Sequence, residues 1–186
     1  WAERTSLLGD LAIQASLIGP DGYMQTTTTG YTGAPLYLGD REHFQAQADV
    51  RADELFISKP VVGRASGKLS IQLSRHLRQP DGSFGGVIVA SIDPGFVEQF
   101  HHSMKLGDNS AITVRGLDGV IRAFHGFSNP NFDKKTVPKV LSDALARAPE
   151  GYVWGSGAID GINRLVFYRV VAGYPLLVTI SETESH

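Results

Sequence analysis

The sequence has no cysteine among its 186 residues. That excludes disulfides, thiolate catalysis and cysteine-ligated zinc, but it leaves the compartment open, since cytoplasm and bacterial periplasm suit a cysteine-free domain equally. An excess of one charge is also lacking. Seventeen Lys and Arg stand against nineteen Asp and Glu, a net charge of −2, with no run of like charges. Nucleic-acid binders usually carry a basic face and polybasic membrane patches need a cluster, so the balance speaks against both. No stretch reaches 18 consecutive apolar residues, and nothing at the start reads as a signal peptide. The chain starts at Trp1 without a methionine and stops at "SETESH", and is expected to be a piece of something larger.

Catalytic signatures are missing too. "VGRASGKL" has Val62 and Leu69 where a phosphate loop needs its first glycine and its magnesium-binding hydroxyl. "GRASG" and "WGSGA" are not the nucleophile elbow. The six histidines include no His-x-x-x-His or His-Glu-x-x-His pair, and adjacent His101 and His102 project to different sides of a helix. Asp21, Asp81, Asp118 and Asp160 each precede glycine, which suits a turn carboxylate bonded to nearby amides. No catalytic residue, no metal site and no cofactor is expected, and a small hydrolase is disfavoured.

What is present is a pattern of strands repeated twice. "AIQASLI", the turn "GPDG" and "YMQTTTT" read as a hairpin, followed by a short helix "DREHFQAQA" with Asp40 as its N-cap. "ELFISKPVV" and "KLSIQLSRHL" read as strands, the second alternating Leu69, Ile71 and Leu73 with Ser70, Gln72 and Ser74. "GGVIVASI" is a nearly continuous apolar strand of a sheet centre, and "DPGFVEQFHHSM" a helix with Asp93 as cap and Phe96 and Phe100 four apart. The order then repeats: "NSAITVRGLDGVIRAF" is a hairpin and "VPKVLSDALARA" a helix. "GYVWGSGAIDGINRLVFYRVV" is a strand pair bearing Tyr152, Trp154, Phe167 and Tyr168, and "YPLLVTISE" a closing strand. The fold class is therefore α+β, with two antiparallel sheets and helices to one side of each. Their boundary is expected between Asp93 and Gly107.

The ordered series "LGDREHFQAQ … LFISKPVVGRASGKLSIQLSRHLRQPDGSFGGVIVASIDPGFVEQF … GLDGVIRA" resembles the double Cache sensor domains, PAS-like modules of bacterial histidine kinases and diguanylate cyclases. The likeness runs from about Ile13 to the end and is densest from Gly39 to Phe100. It implies two PAS-like sheets stacked along an N-terminal helix, of which residues 1–10 would be the end. Residues 11–95 would form a membrane-distal ligand-binding subdomain and 96–186 a membrane-proximal one. The implied function is that of a periplasmic, membrane-anchored sensor, not an enzyme, which binds a small ligand and signals across the inner membrane. A homodimer through the N-terminal helix is implied as well. In the amino-acid-binding branch an Arg-x-Trp-Tyr segment grips the ligand carboxylate. Here it is Arg41-Glu42-His43-Phe44, which keeps the arginine alone, and the carboxylate that would hold an ammonium falls at or near Ser91. A small carboxylate or other anion is the ligand this implies.

The candidate ligand-binding residues are Arg41, His43, Phe44, Ser58, Ser70, Gln72, Ser91 and Tyr31. Arg41 offers a planar fork for a carboxylate, or else an ion pair with Asp40, Glu42 or another acid. His43 reads as a ligand donor or a surface histidine, Phe44 as core or pocket wall, and Tyr31, in "TTTTGYTGAP", as part of a lid. Ser58, Ser70, Gln72 and Ser74 suit either a ligand-binding concave sheet or a solvated outer face, and for each alone the solvated face is simpler. Lys59, Arg64 and Lys68 are read as a solvated loop, from which one could reach into a pocket mouth. A ligand-free module recognising a periplasmic partner protein is the alternative function.

Overall fold

Pleated strands with period-two alternation build two sheets, and the short helices between them close one face of each. The computed structural model describes residues 11–48, 54–104, 106–107, 109–126, 137–156 and 161–183. The helix expected over residues 1–10 and the turn carboxylate Asp160 lie outside these residues. The chain divides into two compact units, Trp1–Asp93 and Pro94–His186.

In the first unit β1 (Ala12–Ile18) and β2 (Met24–Thr27) form the hairpin, and α1 (Glu42–Ala48) follows. Next come β3 (Phe56–Ile57), β4 (Val61–Val62), β5 (Leu69–Arg78) and β6 (Phe84–Ile92). The sheet order is β2-β1-β6-β5-β3, all pairs antiparallel, with β4 also pairing β5. One edge is split because Pro60 has no N–H for the ladder. In the gap the Ser58 N–H donates to Gln72 O at 2.9 Å, and the Ser58 hydroxyl oxygen accepts the Gln72 N–H at 2.8 Å. Gly86 in β6 sits at φ +112°, a conformation open mainly to glycine, and a Cβ there would run into the Ile18 carbonyl of neighbouring β1.

The second unit begins with α2 (Phe96–Met104), then β7 (Ser110–Gly116), β8 (Ile121–His125) and α3 (Lys139–Leu145). It ends with β9 (Glu150–Ser156), β10 (Asn163–Val170) and β11 (Leu176–Thr183). Its order, β8-β7-β11-β10-β9, reproduces that of the first unit strand for strand, counting β3 and β4 as one. The repetition read in the sequence is thus a repetition of topology, and the apolar strands β6 and β11 take the sheet centres. Asp21, Asp81 and Asp118 accept the backbone N–H two residues on, at 2.9–3.1 Å, as turn carboxylates do.

Three local expectations change. Asp40 does not cap α1, because its carboxylate is taken by Arg64. α2 starts at Phe96, two residues past Pro94, and buries Val97 and His101 while Phe100 stays exposed. The solvated reading of Ser58, Ser70, Gln72 and Ser74 is reversed: all four are at most 4% exposed. The leucine face of β5 is the more open one, with Leu69 exposed and Leu73 half-buried, and Ile88 of β6 is exposed as well. The polar face is inside because α1 lies over it, and its groups are bonded to one another, so desolvation is compensated.

Candidate functional site

The covered face of the first sheet is graded from apolar to polar. At one end Ile18, Val87 and Val89 join Leu38 and Phe44 in a core, with Phe44 edge-on to Phe84 at 5.8 Å. At the other end the register sets Gln14 of β1 beside Ser91 of β6, and Ser91 beside Gln72 of β5. Small side chains at Ser16 and Ser91 leave room above this row.

The row is tied down along its length. Ser91 Oγ donates to Gln72 Oε1 at 2.7 Å, and Gln72 Nε2 donates to Ser70 Oγ at 2.7 Å. Gln14 Nε2 donates to Ser16 Oγ at 2.6 Å, and Ser16 Oγ to Thr27 Oγ1 at 3.2 Å. A buried amide left unbonded would cost about 1–3 kcal/mol, so these contacts fix side-chain orientation as well as satisfying it.

α1 supplies the opposite wall. Gln47, 2% exposed, donates through Nε2 to Ser74 O at 2.8 Å and Glu54 O at 3.1 Å, and accepts the His76 N–H at 3.1 Å. Ser74 Oγ donates to His43 O at 2.7 Å. The helix is therefore locked in rotation, and its first residues, with Arg41 before it, are held at the cavity. The loop after β4 closes the mouth. Arg64 donates two N–H groups to the Asp40 carboxylate, both at 2.6 Å, and one to Tyr37 O at 2.8 Å, while Arg41 donates to Val62 O at 2.8 Å.

These parts enclose a narrow cavity of about 30 Å³ beneath an open mouth. Gln14, Ser16, Gln72 and Ser91 form its polar floor, Ile18, Leu38 and Val89 its apolar side, and Arg41, His43, Arg64 and Ser66 its rim. Among the described residues, no acidic side chain lines it. His43 is pushed down to about 4 by burial and then by the charges of Arg41 and Arg64, so it faces the cavity as a neutral imidazole at neutral pH. The bond from Arg64 holds the Asp40 carboxyl below its ordinary range.

Of the candidates read from sequence, Arg41, His43, Gln72 and Ser91 meet at this cavity. Ser58 and Ser70 support it from behind by holding Gln72. Phe44 is core beneath it, not wall, because helix periodicity turns it toward Phe84. Tyr31 lines a separate surface cleft with Met24–Thr27 and Gly30–Leu36, so it is no lid of this cavity. Gln14, Ser16 and Ser66 were missed, and Arg64 is the loop cation that reaches the mouth. The alternation of "AIQASLI" signals the first two, whereas nothing local marks a loop arginine as a latch.

Residues 95–181 match the dCache_1-like family, described as a histidine kinase sensor domain. A search of curated proteins gives no match. Among solved structures, the extracellular domain of a protein described as a histidine kinase, rpHK1S-Z16, is 28% identical with a TM-score of 0.82, over 98% of this chain and 76% of that one. The ligand-binding domain of the Pseudomonas aeruginosa amino acid chemoreceptor PctB, in complex with L-Arg, is 20% identical with a TM-score of 0.66, over 96% and 74%. That of the Pseudomonas fluorescens chemoreceptor CtaA, in complex with L-alanine, is 16% identical with a TM-score of 0.62, over 97% and 76%. The last two likenesses show fold alone. Residues 95–181 are thus similar to the dCache_1-like sensor family, and the paired five-position sheets give the whole chain the fold of the extracellular sensor domain it matches at 28% identity.

Proposed function

We propose that the first unit binds a small carboxylate lacking an ammonium group, and that the chain is the periplasmic part of a membrane-anchored signalling protein. The first unit is then the membrane-distal half and the second the proximal half, and occupancy of the cavity is passed to a cytoplasmic kinase or cyclase output. The observation that carries the ligand class is the charge inventory of the cavity. Among the described residues two guanidiniums and no acid line it, and Arg64 is already neutralised by Asp40. Arg41 supplies the remaining positive charge, and a carboxylate would accept from its fork in charge-assisted bonds. Neutral His43, Gln72, Ser91 and Gln14 are there for a hydroxyl or carbonyl on the same ligand. An ammonium would meet only neutral oxygens, which sets this cavity apart from a site built for α-amino acids.

Signalling requires that the ligand bind one arrangement better than another, since equal affinity shifts nothing. Arg41 answers that need: a carboxylate drawing its guanidinium competes with the Val62 carbonyl and so changes how the β4 edge is held. A homodimer through the residues before Leu11 would carry the change to the output. The test is thermal unfolding of wild type and Arg41→Ala against 2-hydroxy and 2-oxo monocarboxylates and the amino acids of the same carbon skeletons. A ligand at one hundred times its Kd adds about 2.7 kcal/mol, a rise of several degrees in Tm. Monocarboxylates should raise the wild-type Tm and leave Arg41→Ala unmoved. A rise from amino acids alone defeats the ligand class, and no response to any small molecule favours a partner protein as the signal.

A further inference from the structure

Strand β6, which carries Ser91 in the cavity floor, ends at Ile92, and four residues later α2 begins at Phe96. The link between the units thus leads directly into a group of side chains that the cavity does not use. α2 packs on β8 and buries His101, whose ring centroid lies 4.2 Å from that of His125 on β8. His102 lies 5.8 Å from His101 and 5.9 Å from His125. Three imidazoles therefore sit in mutual contact between one helix and one strand.

Hydrogen bonding fixes the state of the buried ring. Ser110 Oγ donates its single proton to Gly107 O at 2.6 Å. At its 2.6 Å contact with His101 Nε2 the hydroxyl must then accept, so Nε2 carries the proton and Nδ1 the lone pair. That Nδ1 is buried without a hydrogen-bond partner. A proton placed there would become a buried donor lacking an acceptor, with its charge against two other rings. Among the described residues, Glu98 of α2 favours a charged His125, His101 and His102 oppose it, and β7 contributes the neutral Ser110. Glu182 of β11 pairs in register with Ser110 and brings a carboxylate near Gly107. Arg115 and Arg122 bond to the turn at Asp118–Val120, at the other end of the β7–β8 hairpin. Burial, then His101, hold His125 below its ordinary range.

We propose that His101, His102 and His125 form a proton-operated latch: neutral rings let α2 lie on β8, and protonation drives helix and strand apart. The domain would then take proton concentration as an input at the first helix of the second unit. This input does not depend on what the first unit binds. The physical basis is that like charges 4–6 Å apart at a half-buried contact repel strongly, whereas neutral imidazoles stack.

Amide hydrogen exchange of α2, corrected for intrinsic rates, tests the latch at pH 7.5 and 5.5 in wild type and in His102→Gln/His125→Gln. Both substituted side chains are less buried than His101, so the variant keeps its core. Wild-type protection of α2 should fall about tenfold at the lower pH, as one charge pair at this spacing implies. In the variant it should stay flat, while α1 of the first unit, where His43 titrates independently, keeps its own pH response. Wild-type α2 protection that ignores pH, or a variant with the same slope as wild type, overturns the latch.

Discussion

The two units share one strand order and use the covered face of the sheet in opposite ways. In the first, α1 is fastened to its sheet by polar bonds from Gln47 and Ser74, and small side chains leave a cavity. In the second, α3 presents Leu141 and Ala144 to Tyr168 and Leu177, and the large Tyr168 ring fills the space. One topology can therefore be a container or a packed support, depending on side-chain volume at a few inward positions. Polar fastening also fixes direction, since a hydrogen bond specifies orientation where an apolar contact specifies only proximity.

The sharpest way to break this contrast is to remove the fastening in each unit. Leu141→Ala should lower the stability of the second unit by about 3 kcal/mol, a transfer and cavity cost. Gln47→Ala should cost the first unit about 2 kcal/mol by stranding buried groups on β5. Denaturant midpoints read through exchange in each unit check both, and equal loss in the two units from either change would erase the distinction.

Acid should divide the units next. The folded pKa of His43 lies near 4, below the unfolded value of about 6.5, so the unfolded state binds more protons between these values. Stability from this group is complete above pH 6.5 and is lost as pH falls toward 4. The loss is about 2 kcal/mol by pH 5. His43→Gln should remove that slope from the first unit, as followed by urea unfolding at pH 7 and pH 5. A slope that survives the substitution assigns the titration elsewhere.

The smallest effect is expected at Asp40→Asn. Its pair with Arg64 is solvent-exposed, and such pairs add little to stability. The unfolding midpoint should scarcely move, and less still in high salt, while exchange of Gly63–Lys68 should quicken because the loop loses its latch to α1. An unchanged loop would show that Tyr37 O and the Arg41–Val62 bond hold the mouth without it.

Much of this was legible beforehand because short-range rules govern it. Turn carboxylates at Asp21, Asp81 and Asp118, the apolar central strands and the absence of nucleophile spacing follow from neighbours in sequence. Arg41 and His43 were visible as a helix start carrying a cation and an imidazole. Arg64 was visible only as one of three loop cations able to reach a pocket mouth, since its partner Asp40 is 24 residues away and the pairing needs the β4 edge folded back on α1. His125 escaped for the same reason. It meets His101 only after α2 packs on β8.

The sequence by itself determined the order of elements, their duplication and the alternation of each strand. It could not determine which side of that alternation is interior. A period-two pattern has two faces, and the leucines of β5 suggested the wrong one. Tertiary structure decided it by laying α1 across the serines and glutamines, which bury without penalty because they bond to one another. That decision made the row from Gln14 to Gln72 the floor of a cavity.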